Sequence, residues 1–385
     1  MAAKVIHLVT RLDLGGAQQN TLHTVRHLDR SRFDTVLMCG PGGILDEEVK
    51  NDASIKTIFV DSLRRDISPF YDLLALLELA KLFLDEKPSV LHTHSSKAGI
   101  LGRLAAALAG VPIVVHTYHG FGFHDRQPAF VKNLYVFLEQ LCAHCADVLV
   151  FVSRANITYA AEHGLVRPQD ATLIRSGVKL ADLPAPVDAA KLKMSVGVGM
   201  HKLLVVSVGN LKPQKNAGDF VEAAATVLAE IPEARFVFLG DGPQRRALEA
   251  RVFTLGLEGK VLFLGWRRDA PQWLAAADVF VLTSLWEGLP RALVEAMKSG
   301  LPPVCYATDG VTDLIQDGVN GYLIEPGDHR ALAERVSALL KDKPGRKAIG
   351  AAAAALGPEF DIDGMVRAQE TLYERLLAQR RSKLL

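Results

Sequence analysis

The sequence runs to 385 residues, 49% of them hydrophobic, more than one core usually absorbs, so two domains are the default expectation. Its 44 basic and 43 acidic residues leave a net charge of +1, evenly spread, with 19 of each sign among residues 1–183; lacking a basic footprint, the chain is not expected to bind nucleic acid. Four cysteines are too few for a disulfide scaffold, and the apolar runs are interrupted and shorter than the about 18–20 residues of a membrane helix, with no signal-peptide core at the start, so a soluble cytoplasmic protein is expected.

The first predicted strand, residues 4–10, runs into Arg11-Leu-Asp-Leu-Gly15-Gly16-Ala17 and a helix pattern to about residue 28. This is strand, glycine loop, helix, but without the G-x-G-x-x-G spacing of a dinucleotide fingerprint; taken alone, Gly15 and Gly16 read as a turn. Strands at 35–39 and 56–60, a helix at 71–84 and a strand at 90–93 set up the βαβ rhythm of a parallel sheet. His92 and His94 have the spacing of metal ligands on one strand face, but with no third ligand nearby they read as the polar lining of a cleft. A helix opens within residues 95–103, and the strand 113–117 leads into Tyr118-His119-Gly120. Five of the twelve histidines fall between His92 and His124. Of these, His119 ends a strand ahead of a glycine, the position where chemistry sits in such sheets.

Phe121, Phe123, Phe130, Tyr135 and Phe137 follow, with Arg126 and Lys132 among them. Core packing accounts for part of this run; the rest suggests a peripheral contact with a lipid or the inner face of the plasma membrane. Cys142 and Cys145 form a C-x-x-C around His144 inside an amphipathic helix, which reads as core packing rather than metal binding. Strand 148–152, a helix to Glu162 and strand 172–175 close the first domain. The stretch 180–187, with Pro184 and Pro186, reads as a linker, so the expected divisions are 1–183, 184–361 and a final helix within 362–385.

The second domain restarts the rhythm at strand 203–208, followed by Gly209-Asn210-Leu211-Lys212-Pro213-Gln214-Lys215-Asn216. Two lysines three apart at a strand's carboxyl end are placed to neutralise a diphosphate. Strands at 235–240 and 261–265 lead to the stretch that organises the chain, 278–300: a buried strand, a turn of Glu287, Gly288, Leu289 and Pro290, and a helix stopped by Gly300. Free backbone N–H groups and the positive end of the helix dipole attract phosphate there, while Glu295 is placed to accept hydrogen bonds from ribose hydroxyls and Glu287 to reach the other end of the same ligand. A nucleotide-sugar fits this description. Strands at 303–306 and 321–324, a helix at 328–340 and a last helix at about 362–379 complete the chain; Arg375, Arg380, Arg381 and Lys383 near its end oppose the helix dipole.

The run from Glu287 through Glu295 to Val304, continuing over Asp309, Gly310, Leu314, Ile315, Asp317, Gly318, Asn320, Gly321, Tyr322 and Leu323, resembles the glutamate-pair motif of retaining glycosyltransferases of family 4. The resemblance implies the α/β GT-B fold: two facing Rossmann-like domains with parallel sheets and a C-terminal helix crossing back to the first. It implies that the Gly15-Gly16 loop approaches the donor diphosphate, that His119 contacts the transferred sugar, and that Lys215 supplies the family's lysine. At the family's arginine position this chain has Asn210, and Lys212 is the candidate for the missing charge. Gly288, Leu289, Pro290 and Glu295 complete the expected donor site.

The first-domain runs at 95–103 and 118–123 are similar to those of bacterial enzymes that extend lipid-linked saccharides for capsule, exopolysaccharide or glycoprotein synthesis. The implied reaction is transfer from a nucleotide-sugar, a UDP-sugar such as a UDP-N-acetylhexosamine, to a saccharide or lipid-linked acceptor. Retention of configuration is implied, with Glu287 orienting the sugar rather than attacking it. No cofactor and no divalent metal are expected, because no Asp-x-Asp stands at a strand end. Rival readings are a transferase acting on a small soluble acceptor, a sugar-nucleotide epimerase of the same architecture, and a non-catalytic nucleotide-binding subunit.

Overall fold

The computed structural model describes residues 2–382; Lys383 lies outside them. Contacts divide the chain into two compact units, one made of residues 1–177 with 361–385 and the other of residues 178–360. The segment read as a linker therefore belongs to the second unit, where Leu180–Asp182 forms a single 3-10 turn.

The first unit alternates strand and helix: β1 (Ala3–Arg11), α1 (Gly16–His27), β2 (Phe33–Gly40), α2 (Asp46–Lys50), β3 (Lys56–Phe59), α3 (Pro69–Glu86), β4 (Val90–His94), α4 (Ser96–Ala109), β5 (Val114–Tyr118), α5 (Ala129–Ala143), β6 (Val148–Phe151), α6 (Arg154–Glu162) and β7 (Thr172–Leu173). All neighbours pair parallel in the order β3-β2-β1-β4-β5-β6-β7. A parallel sheet is covered on both faces, so its strands are apolar runs rather than alternations. β1 shows how both cores are fed: Val5 joins one buried cluster and Ile6 and Leu8 the other, on opposite faces of the pleat.

The second unit holds α7 (Ala189–Met194), β8 (Leu204–Val208), α8 (Ala217–Glu230), β9 (Arg235–Leu239), α9 (Arg245–Thr254), β10 (Val261–Phe263), α10 (Ala270–Ala276), β11 (Val279–Leu282), α11 (Arg291–Lys298), β12 (Pro303–Tyr306), α12 (Asp309–Thr312), β13 (Tyr322–Ile324), α13 (His329–Lys341) and α14 (Lys343–Ala354). Its parallel order is β10-β9-β8-β11-β12-β13. Phe220, Phe236, Phe238, Val279 and Val281 lie in its core.

The last helix, α15 (Ile362–Ser382), belongs to the first unit. It lays Ile362, Met365, Val366, Leu372, Tyr373 and Leu376 against β1 and its neighbours.

Both sheets reverse direction of growth at their first strand, between β1 and β4 and between β8 and β11. Open α/β sheets bind ligands at that switch point, outside the strands' carboxyl ends. Several details differ from the sequence reading. The predicted strand 172–175 contracts to two residues, and α14 follows α13 directly without having been expected.

The aromatic run divides. Phe121, Phe123 and Tyr135 pack in a cluster with Tyr118, Phe151 and Tyr159, whereas Phe130 and Phe137 are 79% and 61% exposed. Cys142 is a buried free thiol on α5, and Cys145 falls beyond the helix end.

Candidate functional site

In the second unit the two loops at the switch point are laced together. The loop after β8 passes Gly209, Asn210 and Lys212, makes a 3-10 turn over Pro213–Lys215, and enters α8 through Asn216, whose φ is +46°. The loop after β11 runs alongside. The Leu285 N–H donates to the Gln214 carbonyl at 2.8 Å, the Gln214 side-chain amide to the Trp286 carbonyl at 2.9 Å, and the Thr283 hydroxyl to the Lys215 and Asn216 carbonyls at 2.9 and 3.0 Å. So fixed, the loops bring Lys215 Nζ against the Glu287 carboxylate, an ion pair between residues 72 apart in sequence. Both side chains are largely buried, at 15% and 7% exposure.

Glycines make this close approach feasible. A Cβ on Gly209 would stand 3.2 Å from the Lys215 stem. Gly240, with φ +135°, would put one 1.8 Å from the Gly209 carbonyl oxygen. On the far side, the Glu287 N–H donates to the Asp309 carboxylate at 3.2 Å, and a Cβ on Gly310 would fall 1.8 Å from the Gly288 oxygen. The turn Glu287–Pro290 is thus wedged between the loop after β8 and α12, with Gly288, Leu289 and Pro290 all buried.

Glu295 stands a turn into α11, one helical step from Arg291 at 3.7 Å. Burial raises its carboxyl above the usual range, opposed by the Arg291 charge. A half-buried glutamate with this environment gains from hydroxyl donors that hold its charged form. Asn210 has its side-chain oxygen enclosed without a hydrogen-bond partner among the described residues, as does the Ser284 hydroxyl at the end of β11. A buried polar atom left unpaired in a protein is costly unless a ligand or water satisfies it. Lys212 sits at the head of the 3-10 turn, half-buried.

In the first unit, Gly15 caps α1 in an extended conformation (φ −149°) without a side-chain hydrogen bond, and α1 has no acidic residue in its first turn. Gly16 is exposed at its start. His119 follows β5 and touches His94 at the end of β4, ring nitrogen to ring nitrogen at 3.1 Å. Burial pushes the His119 imidazole down to about 4. Beside them lies a cavity of about 10 Å³, room for about one water, lined among others by His94, Thr117, His119, Arg175 and Gln369.

The expectation that His92 and His94 have no third histidine near them is corrected here. Parallel pairing sets His7 of β1 opposite His92, and the three place ring nitrogens within 4.8 Å of one another. Sequence spacing misses His7 because it arrives from another strand.

Residues 189–355 match the family described as glycosyl transferases group 1, and residues 15–177 match the glycosyl transferase 4-like domain. The UDP-Gal:alpha-D-GlcNAc-diphosphoundecaprenol alpha-1,3-galactosyltransferase of Escherichia coli is 37% identical over 344 residues, covering 88% of each chain. The chain is a family 4 glycosyltransferase. The Campylobacter jejuni N,N'-diacetylbacillosaminyl-diphospho-undecaprenol alpha-1,3-N-acetylgalactosaminyltransferase is similar at 25% identity over 356 residues, 90% of this chain and 93% of that one. Anabaena HepE, solved in complex with UDP and glucose, superimposes with a TM-score of 0.84 at 23% identity, over 97% of this chain and all of that one. The fold is GT-B.

In this glycosyltransferase the donor-side candidates Asn210, Lys212, Lys215, Glu287, Gly288, Leu289, Pro290 and Glu295 gather at one switch point, while Gly15, Gly16 and His119 lie at the carboxyl ends of β1 and β5 in the other unit. Three residues of the glycosyltransferase went unassigned in the sequence reading. Asp309 tethers the Glu287 backbone, Thr283 ties the two loops, and Tyr373 reaches the histidines from α15. Only the position of Asp309, just past the carboxyl end of β12, offered a signal; the other two depend on which strands are neighbours.

Proposed function

We propose that the protein transfers a sugar from a UDP-sugar to a hydroxyl of a saccharide carried on a polyprenyl diphosphate, with retention of configuration and without a divalent metal. The observation that carries the reading is the Lys215–Glu287 pair at the switch point of the second unit, in a chain whose E. coli and C. jejuni relatives are both named for α-1,3 transfer to undecaprenyl-diphosphate-linked sugars. Lys215 and the N–H groups of the Glu287–Pro290 turn stabilise the diphosphate as its charge grows. Removing such a donor costs roughly 3–4 kcal/mol of barrier.

Glu287, held by Lys215 on one side and by the Asp309 tether on the other, is an orienting carboxylate for the sugar. The departing phosphate takes the acceptor proton in a front-side displacement, so the new bond keeps the donor's anomeric configuration. Glu295 binds the ribose, Asn210 and Lys212 line the phosphate approach, Gly15 and Gly16 admit the diphosphate to the first unit, and His119 contacts the transferred sugar.

The lipid-linked acceptor finds support on the first unit's surface. Phe70, Leu73, Leu77 and Leu84 form an exposed stripe on α3, and Phe130, Leu134, Phe137 and Leu141 form another on α5 at i, i+4, i+7 and i+11. α4 packs against both helices and exposes Leu108. Apolar faces on neighbouring helices, with the exposed Lys81 among them, suit shallow burial at an anionic membrane surface. Among the described residues no helix is long and apolar enough to span a membrane.

The deciding experiment incubates the protein with UDP-glucose, UDP-galactose and their N-acetylamino counterparts and a synthetic polyprenyl-diphosphate N-acetylglucosamine, with and without EDTA. Mass spectrometry reads the product and the anomeric proton coupling reads its configuration. A disaccharide-lipid of α configuration, unchanged by EDTA, is expected. Release of UDP with no glycosylated lipid from every donor would overturn the acceptor assignment, a β product the retention. Flotation with anionic vesicles at low salt should carry the wild-type protein upward and leave a Phe130→Ser/Phe137→Ser variant behind.

A further inference from the structure

Behind His119 lies a chain of buried polar rings. His119 Nε2 meets His94 Nδ1 at 3.1 Å, His94 Nε2 meets His7 Nδ1 at 3.0 Å, and His7 Nε2 meets the Tyr373 hydroxyl of α15 at 3.4 Å. The same hydroxyl lies 2.5 Å from His92 Nδ1 and 3.3 Å from the Gln369 side-chain oxygen, and His92 Nε2 reaches the Thr117 hydroxyl at 2.6 Å. His7, His92 and Tyr373 are wholly enclosed and His94 is 2% exposed. Burial keeps the four imidazoles neutral, with His7 pushed down to about 3.

A neutral imidazole has one N–H and one lone pair, so a line of them donates in a single direction. Tyr373 has one proton to give. Its closest partner is His92 Nδ1, and the Gln369 oxygen can only accept. With that proton given to His92, at 2.5 Å against 3.4 Å for His7, the Tyr373 oxygen accepts from His7 Nε2–H. His7 Nδ1 then accepts from His94 Nε2–H, and His94 Nδ1 accepts from His119 Nε2–H. The line ends with a lone pair on His119 Nδ1, which is buried and has no hydrogen-bond partner among the described residues.

We propose that Tyr373 is a positioning residue which, through His7 and His94, fixes His119 as the Nε2–H tautomer, so that His119 offers an acceptor nitrogen to a hydroxyl hydrogen of the transferred sugar. This rests on the contact between His119 and the sugar proposed above, and it narrows the donor class: the sugar must carry a free hydroxyl at the position His119 meets. A donor deoxygenated there leaves the Nδ1 lone pair unsatisfied and is discriminated against, because a site built to pair with a hydroxyl rejects the analogue lacking it. Helix α15 thereby sets the chemical character of a side chain that follows β5.

The test is Tyr373→Phe in the full-length protein, which keeps the ring and removes only the hydroxyl. Long-range proton–nitrogen correlation spectra of histidine-labelled protein report each tautomer without reference to activity. In the wild type His119 should show the Nε2–H pattern, and in Tyr373→Phe a mixture or reversal. Turnover should fall about tenfold, the effect of losing one buried hydrogen bond that decides between two forms, with UDP affinity unchanged. Leu376→Ala, which loosens the same helix without touching the line, should lower stability yet keep the wild-type tautomer.

An unchanged His119 tautomer in Tyr373→Phe overturns the proposal whatever the activity does. So would one equivalent of zinc in the purified protein or a cobalt spectrum with nitrogen ligands, because metal on His7, His92 and His94 would consume the nitrogens that pass the signal. Full activity in His119→Ala would instead defeat the sugar contact and leave the tautomer result standing.

Discussion

Lowering the pH from 7 to 5.5 should remove up to about 6 kcal/mol of the first unit's stability. His7, His92, His94, His116 and His119 all lie in it, and burial holds each imidazole well below its ordinary 6.5, to about 3 for His7 and about 4 for His119; the adjoining imidazoles further disfavour a proton on His92 and His94, and the Arg103 charge does so on His116. In the unfolded chain each returns to about 6.5 and takes up a proton over this interval while the native form stays neutral. The unfolded state therefore binds more protons, and stability falls as pH falls through and below 6.5. Each histidine contributes about 1.2 kcal/mol between pH 7 and 5.5, so the five together remove up to about 6 kcal/mol, against the about 5–15 kcal/mol that a domain possesses. Carboxylates occupy a separate window: Glu86, held low by Lys56 and Lys4, loses its contribution only below about pH 4.5. Urea midpoints followed by circular dichroism at pH 7.0, 6.5, 6.0 and 5.5 should fall steadily, and peptide-resolved hydrogen exchange at pH 5.5 should show β1, β4 and β5 opening. Midpoints constant from pH 7 to 5.5 would refute the reasoning, since the histidines would then be charged in the native protein or engaged by something that holds them.

Glu287→Gln should lower turnover about a hundredfold or more with UDP affinity retained, whereas Glu295→Ala should weaken UDP binding in calorimetry; the reverse pattern would defeat the assigned roles. Gly310→Ala places a methyl against the Gly288 carbonyl, backbone on backbone, so UDP affinity should drop together with about 1–3 kcal/mol of stability, and wild-type affinity would show that the turn is not wedged as described. Arg103 and Glu139 form an ion pair at 0% and 2% exposure, with the Tyr118 hydroxyl donating to the same carboxylate oxygen at 2.8 Å. Glu139→Ala leaves the guanidinium buried and unpaired at a cost of about 3–5 kcal/mol, and an Arg103→Met/Glu139→Leu pair should recover much of it in thermal melts.

Most of the strands were legible because a doubly covered parallel strand is a short apolar run with a glycine or polar break after it, as at residues 279–282 and 303–306. The loops that carry the candidate donor residues were legible as loops because they follow such runs directly. Pairings between distant loops were not. Nothing in sequence couples Lys215 to Glu287 until β8 and β11 are known to be neighbours, and the same holds for His7 beside His92. Composition does not reveal which residues of the aromatic run turn inward: Phe123 turns into the cluster around Tyr159 and Phe130 turns out to solvent. α14 escaped because the unbroken alanines from Ala351 to Ala355 carry no amphipathic contrast, and its start depends on Asp342, whose carboxylate accepts from the Gly345 N–H at 3.0 Å.

Because α15 belongs to the first unit, that unit is written in two separate passages of the chain with the whole second unit between them. A ribosome therefore finishes residues 178–360 before it supplies Tyr373 and the apolar residues that cover Val5, Val90 and Val115. The unit whose sequence comes first completes its core last, after a wait of nearly two hundred residues, at rates of about 5–20 residues per second. During synthesis its β1 face is the exposed one. Truncations and carboxyl-terminal fusions that reach into α15 are accordingly changes to the beginning of the molecule, and their damage should be sought in the histidine layer beneath β1 rather than in the nucleotide pocket.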